Sequence, residues 1–251
     1  MLIKPRGISR IAGKAKLVDD HSVEITEVDK VSVITAENII IATGSEPALV
    51  PAFNIDCKKI ITSDEALNLM EIPKEMIIIG AGALGLEFGY LFSTFGSRVT
   101  IVEMIPHVVP TLKDAEITGV ISNHLEKSGM VLKCGSAISK ISVTERERVL
   151  CELESGEGLE ADVALVATGR SLNTKDIGLE EAGVELTPKG QVVVDSQLRT
   201  TVPNIFAVGD ITKGPQLSHK AQKQGLIAAE VIAGNNVHMS YEVIPSAIFI
   251  H

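Results

Sequence analysis

Apolar and polar positions change their period several times along the chain, and each change marks an expected element. Ser22–Val28 and Val31–Thr35 alternate and are expected to pair as a hairpin about Asp29-Lys30. Asn38–Thr43 (NIIIAT) is a near-continuous apolar run, the pattern of a strand covered on both faces. Ser45-Glu46-Pro47 and Pro51 interrupt it, so residues 45–56 read as a linker. Ser63-Asp64-Glu65 opens a short helix, Glu65 to Met70, closed by Pro73. Met76–Ile79 is a second buried-strand run. After it Leu84, Phe88, Leu91, Phe92 and Phe95 recur at helical spacing and predict one apolar helix face, ended by Gly96-Ser97 before a strand at Arg98–Val102.

Further on, Met104–Pro110 carries two prolines and reads as a loop. Asp114–Lys127 follows as a helix with Ile117, Val120, Ile121 and Leu125 on one face, and then a strand at Met130–Lys133. Three strands, Ala137–Val143, Val149–Glu154 and Leu159–Ala167, are separated by polar turns and predict an antiparallel meander. A short helix at Asp176–Ala182, a strand at Gln191–Asp195, a short apolar strand running into Gly209-Asp210, and a helix at Ser218–Ala233 complete the pattern, with Ala247–Ile250 as a last strand. Alternating strands and helices with a separate meander make this an α/β chain.

Composition narrows the function classes. The formal charge is -9, the pI is near 5.2 and no basic stripe occurs, which argues against a nucleic-acid partner. No run approaches the ~18 apolar residues of a membrane span and the first residues lack an apolar signal region, so no membrane association or secretion is expected. Cys57, Cys134 and Cys151 are widely spaced and read as small buried or half-buried side chains, and the six histidines show no metal-ligand spacing.

The chemistry concentrates in one turn. Gly80-Ala81-Gly82-Ala83-Leu84-Gly85 is a G-x-G-x-x-G between the Met76–Ile79 strand and its helix, with Glu103 closing the next strand eighteen residues after Gly85. Gly80 permits the tight turn, Gly82 lets backbone approach a pyrophosphate, and Gly85 allows close helix–strand packing. Phosphate would meet the helix N-terminus. Glu103 would accept hydrogen bonds from the ribose hydroxyls and repel a 2'-phosphate, so the turn reads as an NAD site. The competing reading is a Gly-rich turn of an unrelated α/β unit, with Glu103 a solvated charge. Ala-Thr-Gly ends an apolar strand twice, at Ala42-Thr43-Gly44 and Ala167-Thr168-Gly169, which suggests two related sheet units. Asp210 at a strand end is open between a helix cap or turn acid and a ligand contact.

Taken together, NIIIATGSEP (38–47), IIIGAGALGLEFG (77–89), VTIVE (99–103), ALVATGRSLNT (164–174) and TTVPNIFAVGDI (200–211) resemble the flavin- and pyridine-nucleotide-dependent disulfide oxidoreductases. GPQLSHKAQKQG (214–225) and IPSAIF (244–249) most resemble the dihydrolipoamide dehydrogenase branch of that family. The resemblance implies a Rossmann-like FAD/NAD(P)-binding fold: a parallel sheet plus antiparallel meander, flanked by partial FAD-domain segments. It divides the chain into a remnant of an FAD-binding domain (1–50), an NAD-binding domain (51–172) and a second FAD-domain segment (173–251). It assigns Gly80, Gly82, Ala83, Leu84, Gly85 and Glu103 to the NAD site, and Glu87 to the acid beside the nicotinamide that pairs with a flavin-domain lysine. Gly169 and Arg170 fall in the motif bordering the nucleotide domain. Gly44 and Gly209 belong to the flavin side with Asp210, whose carboxylate would contact the ribityl-phosphate part of FAD, and Gln216, Leu217 and His219 fall in a stretch near the flavin ring.

The departures matter as much. The family's N-terminal G-x-G-x-x-G, its Cys-x4-Cys redox disulfide and its C-terminal dimerisation domain with a His-Glu base are not in these 251 residues, so the chain is expected to be an internal fragment. In the family's reaction dihydrolipoamide reduces the disulfide, the thiolate passes electrons to FAD, and FAD hands a hydride to NAD. The expected role here is the NAD-binding core of such an enzyme, inactive by itself, with FAD binding weak or lost. Its parent would be a homodimeric component of 2-oxo acid dehydrogenase complexes, cytoplasmic or in the mitochondrial matrix. The alternative is a stand-alone dinucleotide-binding or structural module without redox chemistry. Residues 1–44 and 200–251 are expected to present unpaired sheet edges unless they find partners, in each other or in another copy.

Overall fold

A computed structural model describes residues 7–250. The chain forms two compact units: one holds the residues up to Glu46 together with Leu172–Ser246, the other Pro47–Ser171 together with the residues from Ala247 on.

The first unit opens with β1 (Lys14–Leu17), β2 (Ser22–Thr26) and β3 (Val31–Thr35) in one antiparallel sheet, so the expected hairpin has a third strand beside it. β1 escapes the alternation reading because only Leu17 in it is buried. β4 (Ile39–Ile41) follows, and β5 (Ser45–Pro47) carries the chain into the second unit.

There the strands are β6 (Ile60–Ile61), β7 (Glu75–Ile79), β8 (Arg98–Glu103), β9 (Val131–Cys134), β10 (Ile138–Val143), β11 (Val149–Leu153), β12 (Gly158–Ala161) and β13 (Val163–Val166). The helices are α1 (Ser63–Ala66), α2 (Ala83–Thr94) and α3 (Ala115–Lys127). A five-stranded sheet runs in the order β6-β13-β7-β8-β9 with parallel pairing throughout, and β10, β11 and β12 form an antiparallel meander.

Three layers explain the continuous apolar runs. Met76 and Ile78 of β7 join Val99, Ile101, Val163 and Leu165 in a core with Leu86 and Phe92 of α2 and Leu125 of α3. Ile77 and Ile79 point the other way, into a core with Val102, Ala164, Val166 and the meander residues Ile141, Val149 and Cys151. A strand alternates its side chains, so burial on both faces leaves no polar position.

The expected strand Leu159–Ala167 divides at Asp162, with β12 in the meander and β13 in the parallel sheet. Asp162 turns the chain between them: its carboxylate accepts from the Glu75 N–H at 3.0 Å and from Arg148 Nη1 at 2.7 Å. Both helix faces also differ in part from expectation, although Phe88 and Phe92 of α2 and Ile121 and Leu125 of α3 meet the core as expected. In α2 the buried residues are Gly85, Leu86, Gly89 and Phe92, while Leu91 and Phe95 are 40% and 55% exposed. In α3 Thr118 and Leu125 are buried and Ile117 and Val120 are exposed. The α3 start is as expected, with Asp114 accepting from the Glu116 and Ile117 N–H groups. The short helix spans Ser63–Ala66 rather than Glu65–Met70, and Thr62 with Glu65 forms its capping box.

After β14 (Arg170–Leu172) the chain is back in the first unit, where β15 (Ile205–Ala207) pairs in parallel with β4 and α4 (Ser218–Ile232) packs its Ile227, Ala228 and Val231 against Phe206 and Val208. The two flanking segments therefore supply each other's sheet partner. Residues 176–182 form turns instead of a helix, because Gly178 at φ +77 packs so closely on Leu17 that a Cβ there would lie 2.1 Å from the Leu17 carbonyl oxygen. Residues 191–195 make only isolated bridges through Val192, which pairs with Leu186 and Thr212. The segment from Ala247 is not a strand; Ile248 and Ile250 pack against the α2 and α3 core.

Candidate functional site

The turn between β7 and α2 is built as its glycines require. Gly80 adopts φ +106, and a Cβ on it would come within 2.5 Å of the Ala167 carbonyl oxygen. A Cβ on Gly85 would meet the Gly80 carbonyl oxygen at 2.0 Å. Gly82 differs: its φ is -71° and nothing lies within 4 Å of where a Cβ would stand. Two glycines thus serve packing, and the third leaves open space in front of the backbone.

As N-cap of α2, Gly82 brings no side-chain acceptor, and the first turn carries no acid. Asp114 closes the start of α3 with its own carboxylate, whereas the leading N–H groups of α2 are left for an external anion.

Glu103 ends β8 beside this turn and is 7% exposed. Its Oε2 accepts from the Ala81 N–H at 2.8 Å and its Oε1 from the Ile105 N–H at 2.9 Å. The carboxylate is therefore oriented by backbone on both sides, and each oxygen retains a second lone pair for a hydroxyl donor. The loop beyond is tied in turn: Val109 N–H donates to Ala81 O at 2.8 Å and Gly135 N–H to Ile105 O at 2.9 Å.

These residues open onto a cavity of about 640 Å³ within the second unit. Gly80, Gly82, Ala83, Glu103 and Gly169 line it; Leu84, Gly85, Glu87 and Arg170 do not. Leu84 is half-buried and Gly85 buried in α2, Arg170 is exposed at the start of β14, and Glu87 on α2 accepts from the Phe249 N–H at 3.0 Å. The sequence reading missed Phe53, Ile105, Thr111, Ile138 and Glu154, which also line the cavity. They come from a proline-rich loop and from meander ends, where neither period nor motif marks a lining position.

The remaining sequence-predicted residues lie in the first unit. Gly44, at φ +69, follows Thr43, whose Oγ1 donates to Asn173 O at 2.7 Å. Ser45 Oγ donates to Asp210 Oδ2 at 2.5 Å, which joins the start of β5 to the Gly209-Asp210 turn. Gly209 adopts φ +80 and its N–H donates to Gln224 Oε1 at 2.8 Å. Lys220, 1% exposed, points its ammonium at Gly209 O (3.1 Å) and Lys213 O (3.3 Å), and burial pushes its pKa below the ordinary lysine value against the opposing pull of Asp210. Leu217 is the N-cap of α4, Gln216 is exposed, and exposed His219 contacts Pro245 O through Nε2 at 2.8 Å. Glu103 could be found from motif spacing, whereas nothing in the sequence announced Lys220 as a buried tie of this turn.

Other chemistries lack a constellation. No group of three or more His, Cys, Asp or Glu side chains suited to a metal ion occurs among the described residues. Cys57 is exposed, against expectation, Cys134 is half-buried and Cys151 is buried, and all three are free thiols. No helix of the described residues is long and apolar enough to cross a membrane.

Comparison with known proteins agrees with this geometry. Residues 1–225 match the family model described as pyridine nucleotide-disulphide oxidoreductase. The chain is similar to the mitochondrial dihydrolipoyl dehydrogenase of Homo sapiens, with 37% identity over all of this chain and 50% of the relative. It is equally similar to the dihydrolipoyl dehydrogenase of Geobacillus stearothermophilus, with 37% identity over 99% of this chain and 53% of the relative. Among solved structures it resembles LpdA from Mycobacterium tuberculosis, with a TM-score of 0.91, 28% identity and coverage of 98% of this chain and 55% of that one. The chain spans about half the length of the curated relatives it matches. With its family model, its glycine turn and its three-layer sheet in agreement, the chain belongs to the pyridine nucleotide-disulphide oxidoreductases.

Proposed function

We propose that residues 47–171 bind NAD and form the hydride-acceptor seat of a dihydrolipoamide dehydrogenase. The observation that carries this reading is the cavity in which the open face of Gly82, the uncapped start of α2 and the doubly held Glu103 converge. Their chemistry fits a dinucleotide: backbone N–H groups for the pyrophosphate and a fixed carboxylate for a ribose diol. Glu87 stands on the same helix as the acid toward the nicotinamide end, and Gly169 adds to the cavity lining, with Arg170 next to it in sequence and outside that lining. Bound NAD supplies the hydride-accepting ring; the chain's own residues bind it, orient it and choose between its phosphorylated forms.

In the first unit, Gly44, Gly209, Asp210, Gln216, Leu217 and His219 form the flavin side of the same enzyme, supported by the Ser45–Asp210 link that fixes the acid at the strand end. The whole enzyme's reaction is the transfer of electrons from dihydrolipoamide through a disulfide and FAD to NAD. Its setting is a homodimer within a 2-oxo acid dehydrogenase complex, in the cytoplasm or mitochondrial matrix. The 251 residues have no close cysteine pair to exchange with a dithiol, so this chain alone does not turn the substrate over; with only part of the flavin contacts among these residues and the ordering cost of binding unchanged, it holds FAD weakly.

Titration with NADH, followed by its fluorescence, tests the reading. Saturable one-to-one binding that is weakened at least tenfold in Glu103→Ala is the expected result, since the diol then loses a charge-assisted acceptor. Unchanged NADH affinity in that variant would remove the main support. A yellow chain with stoichiometric flavin would contradict the weak-FAD part alone.

A further inference from the structure

The cavity of the second unit has a second acid that the glycine motif does not include. Glu154, just past the end of β11, lines the same space as Glu103. Two backbone hydrogen bonds connect their positions along the rim: Ser136 N–H donates to Glu103 O at 2.9 Å, and Glu154 N–H donates to Ala137 O at 2.9 Å. The two carboxylates differ in setting. Glu103 is buried with both oxygens on backbone donors, whereas Glu154 is exposed at the opening.

They are the only charged side chains lining the cavity, and no Lys, Arg or His lines it among the described residues. Lys133 on adjacent β9 is outside the lining, with its ammonium held by Glu157 at 2.8 and 3.0 Å. A phosphate added to the ribose held by Glu103 would therefore enter a space with two negative charges and no compensating cation.

On the reading of this cavity as a dinucleotide seat, we propose that Glu154 is a specificity-determining residue that excludes the 2'-phosphorylated dinucleotide. Glu103 recognises the diol by contact. Glu154 acts over a longer distance, through the field at the entrance, and needs no contact with the diol. Because it is solvent-exposed, its share of the discrimination falls as salt rises.

The test is titration of the 251-residue chain with NADH and NADPH, and with ADP-ribose and its 2'-phosphate, in wild type, Glu154→Gln and Glu154→Lys. The expected result is that the ratio of the NADPH to the NADH dissociation constant falls about three- to tenfold in Glu154→Gln, further in Glu154→Lys, and less at high salt. The ADP-ribose pair should show the same ratio change, which places the effect at the adenosine end. An unchanged ratio in both variants overturns the role of Glu154 while leaving NADH binding in place. Wild-type chain that binds none of the four compounds overturns the nucleotide seat itself, and the Glu154 assignment with it.

Discussion

Gly82 and Gly85 are three residues apart in one turn, and the same substitution should act on them in different ways. A methyl at Gly85 would overlap the Gly80 carbonyl, so Gly85→Ala is expected to destabilise the second unit by about 1–3 kcal/mol, measured by chemical denaturation. A methyl at Gly82 enters open space at an ordinary φ, so Gly82→Ala should leave the denaturation midpoint near wild type while reducing NADH affinity. Gly82→Ala that unfolds the unit, or binds NADH as well as wild type, would contradict the division of labour between these glycines. The same scale shows why part of the site was legible. Gly80, Gly82, Gly85 and Glu103 are specified by local backbone needs that depend on sequence spacing, whereas Phe53 and Glu154 reach the cavity only through long-range packing of a loop and a meander.

For whole elements, apolar spacing located α2 and α3 within a residue or two and read their faces in part: Phe88, Phe92, Ile121 and Leu125 meet the core, whereas Leu91, Phe95, Ile117 and Val120 are exposed. Large apolar residues at Leu84, Leu91 and Phe95 drew the expected face, while α2 lies against the sheet through Gly85 and Gly89, where the absence of side chains allows approach. A Cβ on Gly89 would meet Ile101 Cδ1 at 2.9 Å, so the glycine is the contact. Phe92 and Phe95 separate the two readings. Phe92→Ala should cost about 3–5 kcal/mol, as for a filled core site, and Phe95→Ala should stay within about 0.5 kcal/mol. Equal losses in thermal or urea unfolding would restore the original face. The strand that divides at Asp162 has a related cause: periodicity reads apolar character, but the change of sheet is fixed by a carboxylate that accepts from the Arg148 guanidinium and from the backbone N–H of Glu75, which is distant in sequence.

At the level of the whole molecule, the chain crosses between its units at β5, at β14 and again after Ser246, so neither unit is a single stretch of sequence. A linear reading finds the second unit readily, because its strand–helix–strand repeats are contiguous. It leaves the first unit in pieces, since β4 and β15 meet across more than 160 residues of intervening chain. Acid acts on the second unit through one carboxylate cluster. In the second unit Glu75 is held below the ordinary carboxyl value of 4.5 by hydrogen bonds from Arg98 and then Arg148, with Asp162 completing the cluster. A depressed carboxyl pKa contributes its full stabilisation above 4.5 and loses it as pH falls below that value through the folded-state pKa. The second unit should therefore lose stability below about pH 4.5 more steeply in wild type than in Glu75→Gln, and parallel pH profiles in a hydrogen-exchange experiment would refute this.

Glu103 bears on how this site could change over time. Its oxygens support the Ala81 and Ile105 amides as well as facing the cavity, so a substitution that reverses its charge also removes two acceptors from the turn proposed to seat the dinucleotide. A lineage moving from one cofactor to the other could not take that step first without damaging the turn. Glu154, whose side chain stands exposed at the opening, is the position where such a drift could begin, and the buried acid could be exchanged only after other residues had taken over its backbone ties.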